Sequence, residues 1–132
     1  MLNEWLTQYE FNSARDEMNA RREIFQEITL AGLSRGKFFE KASFYGGTAL
    51  RIFYGLDRFS EDLDFTLNNI DANFTLENYI PFINEEFQLL DLKVELDYYS
   101  KKSDGQIESA FLKSDTILAN LSIVNKTGLL KA

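Results

Sequence analysis

Two aspartates separated by one residue are the side chains of this sequence best suited to chemistry. Asp62 and Asp64 lie in the segment EDLDFTL (residues 61–67), in which polar and apolar residues alternate. Such alternation predicts a β-strand with one buried face. Residues i and i+2 of a strand point the same way, about 6.5–7 Å apart at Cα, so both carboxylates can reach one divalent cation or bracket a pair. The alternative is an ordinary solvent-facing strand that carries two aspartates.

Two adjacent glycines form a second candidate feature. Gly46 and Gly47 follow a predicted strand at residues 41–45 and precede a predicted helix at residues 48–54. Glycine allows a close backbone approach to a ligand and a positive φ, and the free N–H groups at a helix N-terminus attract phosphate. Thr48 can cap that helix or donate to a phosphate oxygen. A plain strand-to-helix turn with a threonine cap explains the same residues equally well.

The absence of histidine and cysteine limits the chemistry available to the chain. The sequence contains 0 His and 0 Cys, which excludes a Ser-His-Asp triad, a thiolate nucleophile and an ordinary zinc site. Catalysis must therefore use carboxylates, amines, hydroxyls or backbone amides. Abundant carboxylates without imidazole favour a hard cation, and we expect Mg²⁺ rather than zinc.

Charge and hydropathy bear on partners and location. The net charge of −7 argues against a broad grip on nucleic acid, since such binding depends on Lys and Arg neutralising phosphates. A single nucleotide remains compatible, because one metal and a few amides can satisfy its phosphates. The sequence lacks an apolar run of about 18 residues and the pattern of a signal peptide, so we expect no membrane span and a cytoplasmic location.

The elements that position these residues are predicted to form one domain. At 45% hydrophobic residues, the 132-residue chain can build a core. The order α-α-β-α-β-α-β-β-β predicts an α+β fold with helices packed against a mixed or antiparallel sheet. The predicted units are N-terminal helices at 1–40, a core with both motifs at 41–67, a helix at 74–90 that begins or kinks at Pro81, and strands at 92–124 with turns near 103–105 and 114–115.

The two motifs make sense together if their strands are neighbours. A strand, a Gly-Gly turn, a helix and a strand with Asp-x-Asp would then place the carboxylates beside the helix N-terminus. A nucleoside triphosphate needs both parts, amides for its phosphates and carboxylates for its Mg²⁺.

Residues 45–65, YGGTALRIFYGLDRFSEDLDF, resemble the signature of the AbiEii/AbiGii toxin family. The shared pattern is an apolar residue, Gly-Gly-Thr-Ala-Leu, a variable short helix and Arg-Phe-Ser-x-Asp-Leu-Asp-Phe. The resemblance implies a nucleotidyltransferase core of the polymerase-β type. It further implies a Mg²⁺-dependent toxin that transfers a nucleotide from an NTP to an RNA such as tRNA or to a protein. Such a toxin acts in a toxin–antitoxin or phage-defence system, so a cognate antitoxin is an expected partner.

The same resemblance implies roles for individual residues. Gly46, Gly47 and Thr48 would hold the triphosphate, while Asp62 and Asp64 would bind Mg²⁺ and carry the catalysis.

Two further positions of the motif belong to the predicted nucleotide site. Arg58 is either a phosphate contact or one half of an ion pair that orients the loop. Ser60 would hydrogen-bond the loop or an aspartate carboxylate. Arg51, one helical turn after Gly47, is a surface residue or a further phosphate contact.

The sequence departs from the expected pattern at a third carboxylate. Folds of this type often draw one from a later strand as a general base, and the corresponding strand here, ILANLSIV, has Asn120 at that position. Asp97 and Asp115 are the available substitutes. The helical region that follows in the family is absent from these residues. A truncated or degenerate relative that binds a nucleotide or a partner without catalysis is therefore the alternative function.

Overall fold

The computed structural model describes residues 2–7, 9, 13–45, 62–69, 71, 73–101, 107–114 and 117–124. Within these residues the α-helices are α1 (Leu2–Leu6), α2 (Ala14–Arg35) and α3 (Ile80–Leu89). The strands are β1 (Ala42–Tyr45), β2 (Asp62–Leu67), β3 (Glu95–Lys101), β4 (Ile107–Ser114) and β5 (Ile117–Val124). None of the helices in this part of the chain has the length and apolar character needed to cross a membrane.

The five strands form one mixed sheet in the order β1-β2-β5-β4-β3. β2 pairs in parallel with β5, and the other neighbours pair antiparallel. The predicted α+β class with a mixed sheet is therefore confirmed. β1 and β2 are direct neighbours, which is the condition under which the two sequence motifs meet. The predicted turns at 103–105 and 115 and the helix at 48–54 lie outside the described residues.

Local sequence sets both ends of α2. The side chain of Ser13 accepts a hydrogen bond from the Asp16 N–H at 3.2 Å and caps the first turn. At the other end, the N–H of Gly36 donates to the carbonyl of Gly32 at 3.0 Å as the helix stops. α2 thus begins directly after Ser13 and ends before Gly36, within the predicted helical region at 1–40. Gly32 lies inside the helix.

Pro81 determines where α3 begins. A short 3-10 helix at Leu76–Tyr79 precedes it, and the side chain of Thr75 caps that turn by accepting from the Glu77 N–H at 3.3 Å. α3 then starts at Ile80 with the proline in its first turn, where a missing N–H costs nothing. The predicted helix at 74–90 is thus a 3-10 turn followed by an α-helix, and it begins at the proline instead of kinking there.

β3 begins at Glu95, three residues later than the alternation at 92–100 predicts. Asp91 adopts a left-handed conformation with φ 58°, and the N–H of Leu92 donates to the carbonyl of Phe87 at 2.9 Å. These contacts close the end of α3, so the first predicted strand residues finish the helix and turn toward the sheet.

The core lies on the face of the sheet that α2 covers. Leu63, Phe65 and Leu67 of β2 are buried there, as their alternation predicts. Phe38 packs edge to face against Phe65 at 5.0 Å and against Tyr79 at 5.2 Å between ring centroids. Aromatic contacts thus join β2 to the turn that leads into α3.

The contact between α2 and α3 depends on a glycine. Gly32 is fully enclosed where the helices meet, and a Cβ at this position would lie 2.7 Å from the Cα of Ile83 and 2.9 Å from the carbonyl oxygen of Phe82. Real Cβ atoms do not approach a backbone so closely. Any side chain at position 32 would therefore push the helices apart.

Arg35 fastens the end of α2 to α3. Its guanidinium forms ion pairs with Glu85 at 2.8 Å and Glu86 at 2.9 Å, and donates to the carbonyl of Phe82 at 3.1 Å. It also lies 5.4 Å from the centre of the Phe82 ring. Four interactions thus converge on one planar group and fix the orientation of α3 relative to α2. Because the ion pairs are exposed to solvent, they add little to the free energy of unfolding.

We expect Gly32→Ala to destabilise the protein by roughly 1–3 kcal/mol, the usual cost of overpacking a tight contact. Helix propensity alone predicts the opposite effect, an increase in the free energy of unfolding of about 1 kcal/mol. Denaturant unfolding gives the free energy directly. Ser34→Ala, at an exposed position of the same helix, is the matched control and should be close to neutral. A stabilised Gly32→Ala variant would contradict the close contact.

Candidate functional site

β2 presents the two aspartates at its first and third residues. Leu63 and Phe65 are fully buried, so Asp62 and Asp64 lie on the opposite face of the strand. Asp62 is exposed and Asp64 half-buried. The alternation predicts that this whole face is open to solvent. Thr66, on the same face, is only 6% exposed, so the face is open at Asp62 and closed at Thr66. The carboxylates thus stand on a rigid base at the open end of the strand.

Strand pairing determines what surrounds the aspartates. On β1, Tyr45 lies opposite Asp64 in the antiparallel register. On β5, Asn120 is paired with Asp62 and Ser122 with Asp64 in the parallel register. Paired positions share a face of the sheet and lie about 4.8 Å apart. β1 and β5 thus flank the carboxylates from both sides.

The path of the chain relates the glycines to this site. Tyr45, opposite Asp64, is the residue directly before Gly46 in the sequence. The chain therefore leaves the sheet toward the Gly-Gly motif from a position next to the aspartates.

The predicted nucleotide-binding residues are not among those that the structure describes. Gly46, Gly47, Thr48, Arg58 and Ser60 all lie outside the described residues, so their roles stay predictions.

The two aspartates affect each other electrostatically. Partial burial raises the pKa of Asp64 above its ordinary value, and the negative charge of Asp62 raises that pKa further. Both effects raise the free energy of the ionised carboxylate. A bound cation would offset this cost, because it attracts both negative charges. Carboxylate oxygens are the ligands that Mg²⁺ prefers, and one or two of them with phosphate oxygens and water make a usual site. Asp62 and Asp64 therefore fit Mg²⁺.

No third carboxylate completes this pair within the described parts of the chain. Groups of three or more His, Cys, Asp or Glu that could hold a metal are absent from them. The position beside Asp62 on the neighbouring strand belongs to Asn120. Asp97, one suggested substitute, lies on β3, three strand spacings or about 14 Å from β2. Asp115, the other, lies outside the described residues.

Ser122 is a site residue that sequence reasoning missed. It is half-buried and paired with Asp64. The sequence does indicate its position, because Ser122 follows Asn120 by two residues on a predicted strand and must therefore lie on the same face.

A cavity of about 170 Å³ lies away from the aspartates. It is at the opposite end of β2, beyond Leu67. Its lining residues are Glu40, Lys41, Leu67, Asn69, Asp71 and Phe74. The cavity is therefore separate from the Asp62–Asp64 site.

Comparisons with known proteins agree with the sequence motif. The profile of the family described as nucleotidyl transferase AbiEii toxin, Type IV TA system, matches residues 28–128, which is more than half of the chain. No curated protein shows significant similarity to the chain.

Two solved structures share the fold. One is a protein from H. pylori assigned as a nucleotidyltransferase, with 20% identity, a TM-score of 0.54, and coverage of 86% of this chain and 47% of that chain. The other is JHP933 from Helicobacter pylori, with 19% identity, a TM-score of 0.54, and coverage of 88% and 46%. The likeness confirms the predicted nucleotidyltransferase-type fold. The chain spans less than half the length of either structure.

We expect Asp64→Asn to stabilise the protein at neutral pH. Because the folded state raises the pKa of Asp64, it binds this proton more tightly than the unfolded state does. Stability from this group is thus present below the ordinary aspartate pKa and is lost as pH rises through the raised value. Solvent screening limits the gain to less than about 1 kcal/mol.

Denaturant unfolding of wild type and variant between pH 3 and pH 7 measures this effect. The two free energies should converge at low pH and separate as pH rises. Asp97→Asn, on the same face but three strand spacings away, is the matched control for the removal of one negative charge. A variant less stable than wild type at neutral pH would contradict the assignment.

Proposed function

This chain belongs to the AbiEii family of nucleotidyl transferase toxins, and we propose that it carries the nucleotide and Mg²⁺ site of such a toxin. The proposed activity is transfer of a nucleotide from an NTP to an RNA such as tRNA or to a protein. A toxin–antitoxin or phage-defence role with a cognate antitoxin follows from this proposal. The observation that carries it is the pairing of β1 with β2, since it sets the strand before Gly46 against the strand with Asp62 and Asp64.

The phosphates are the part of the substrate that the glycine motif would hold. In this proposal Gly46 and Gly47 donate backbone N–H groups to phosphate oxygens, and Thr48 adds a hydroxyl or caps the helix that follows. Arg58 contacts a phosphate or orients the loop, and Ser60 hydrogen-bonds the loop or a carboxylate. Binding by amides needs little positive charge, so it is compatible with a net charge of −7.

Asp62 and Asp64 would hold Mg²⁺. Bound there, the ion would supply neutralisation of the charge that develops on the phosphates during transfer. The half-buried position of Asp64 supports this role, because a buried carboxylate beside a like charge is stabilised by a cation. The two side chains are held in place by the buried face of their strand.

The proposed reaction joins an acceptor hydroxyl to the nucleotide. The hydroxyl oxygen forms a bond to the α-phosphorus, and the bond from that phosphorus to the oxygen bridging to the β-phosphate breaks. Pyrophosphate leaves, and the hydroxyl proton passes to water or to a site carboxylate. Positioning and charge stabilisation would supply most of the rate enhancement.

One observation favours a second function, nucleotide or partner binding without catalysis. Asn120 is paired with Asp62, where a carboxylate would serve as a general base. An amide cannot take up a proton at neutral pH.

Incubation of the 132-residue protein with labelled NTPs, Mg²⁺ and total RNA tests the proposal. We expect label transfer that falls to background in an Asp62→Asn/Asp64→Asn variant, because the metal ligands are lost. Asp97→Asn serves as the matched control and should retain transfer. Mg²⁺-dependent nucleotide binding without transfer would favour the second function. Absence of both transfer and Mg²⁺-dependent binding would contradict the proposal.

A further inference from the structure

We propose that Phe111 binds the base of the NTP by stacking, so that the nucleotide lies across β5 from the aspartates to β4. The inference rests on the proposed function and identifies the residue of the same site that recognises the nucleoside. Its basis is the register of the sheet, which brings Phe111 to the face that carries Asp62 and Asp64.

Alternate residues of β4 lie on opposite faces of the sheet. Ala110 and Leu112 are fully buried in the core, so Ser109, Phe111 and Lys113 lie on the face away from it. Phe111 is half-buried there, which leaves part of its side chain accessible. The ring is therefore on the same side of the sheet as the two aspartates.

The strand register places Phe111 in one row with Asp62. Phe111 pairs with position 120 of β5, and that position pairs with Asp62 on β2. Two strand spacings, about 10 Å, separate the two ends of the row. The ring and the metal-binding carboxylates thus lie at opposite ends of a short strip of one face.

The positions around Phe111 on this face hold polar residues. Asn120 is paired with it on β5 and Asp97 on β3, and the residues two positions away along β4 are Ser109 and Lys113. The apolar residues that β4 contributes to the core lie on the other face. A phenylalanine at the centre of four polar positions provides a flat apolar surface for a ligand on this face.

The order of the strands gives the nucleotide its direction. The glycine motif follows β1, so in the proposed function the phosphates lie on the β1 side of the aspartates. β5 and β4 lie on the other side. A carboxylate oxygen and a phosphate oxygen on the same Mg²⁺ span about 4 Å, and the ribose carries the base several bonds further. The ribose then lies over β5, and the base reaches β4.

Two serines lie on the strip beside this path. Ser122 is paired with Asp64, and Ser109 is paired with Ser122. Both are half-buried. Their hydroxyls can donate and accept hydrogen bonds, as the ribose hydroxyls can. The strip thus offers carboxylates for the metal, hydroxyls for the ribose and a ring for the base, in the order in which these parts follow along a nucleotide.

Stacking suits an acidic protein as a way to bind a base. Every base has a π-face, so an aromatic ring can bind it without positive charge and without hydrogen bonds to its edge. The net charge of −7 is therefore no obstacle to this contact. Loss of one such ring typically weakens binding about 5- to 150-fold.

Binding of two probes to the 132-residue protein in the presence of Mg²⁺ tests the inference. One probe is an NTP analogue that cannot be cleaved at the α,β bond, and the other is inorganic tripolyphosphate, which lacks the base. We expect Phe111→Ala to weaken binding of the analogue about 5- to 150-fold and to leave tripolyphosphate binding unchanged. Phe111→Leu keeps an apolar side chain without a ring and should show a similar loss.

Phe39→Ala is the matched control for the removal of a partly exposed ring. Phe39 is 37% exposed and lies 6.0 Å from the Phe65 ring, on the core side of the sheet. This variant should bind both probes as the wild type does. An equal loss of analogue binding in Phe39→Ala would show a general effect of ring removal and overturn the inference.

Tryptophan fluorescence provides a second measurement, which does not depend on tripolyphosphate binding. The chain contains one tryptophan, Trp5 in α1, and the wild type records its signal. A base stacked on an indole ring quenches its fluorescence. We expect the analogue to quench Phe111→Trp beyond any change in the wild type, and absence of this additional quenching would overturn the inference.

The remaining outcomes separate the inference from the proposed function. Analogue binding at the wild-type level in Phe111→Ala or Phe111→Leu would overturn the inference and leave the proposed function standing. An equal loss of both probes in Phe111→Ala would do the same, because it would show a structural role for the ring. Absence of Mg²⁺-dependent binding of both probes by the wild type would overturn the proposed function as well.

Discussion

The fold and the site both depend on burial of one face of β2. Leu63, Phe65 and Leu67 enter the core, and each contributes about 1.5–3 kcal/mol through burial of its side chain. A register slip of one residue would place Asp62 and Asp64 in the core instead, at a cost of several kcal/mol for each charge. The apolar face therefore fixes the direction in which the carboxylates point. α2 and α3, locked together at Gly32, support that face from behind.

The two aspartates lower the stability of the fold through electrostatic repulsion. The face that carries Asp62 also carries the half-buried Asp64, and the two charges repel each other. A purely structural strand has no physical reason to retain such a pair, because asparagine at either position would relieve the repulsion. Functional sites are often maintained against stability in this way. A cation at the pair would change the repulsion into attraction.

The position of β2 within the sheet gives the site its two different sides. The antiparallel neighbour β1 ends beside Asp64 and continues into the Gly-Gly motif, which joins the phosphate and metal features. The parallel neighbour β5 brings Asn120 and Ser122 to the aspartates from a distant part of the sequence. The β1 side thus leads to the expected phosphate-binding glycines. The β5 side carries Asn120 where a third carboxylate is expected. The choice between the two proposed functions, nucleotide transfer and binding without catalysis, depends on Asn120 on this second side.

The sequence by itself determined the features that depend on neighbouring residues. Strand alternation predicted the burial of β2, and Pro81 the start of α3, because φ restriction and periodicity act over a few residues. Only the tertiary structure decided which strands pair, so the register of Asn120 with Asp62 and the role of Gly32 in helix packing required it. These are contacts between segments far apart in the chain. Their geometry follows from how the whole sheet closes around its core, which local periodicity does not encode.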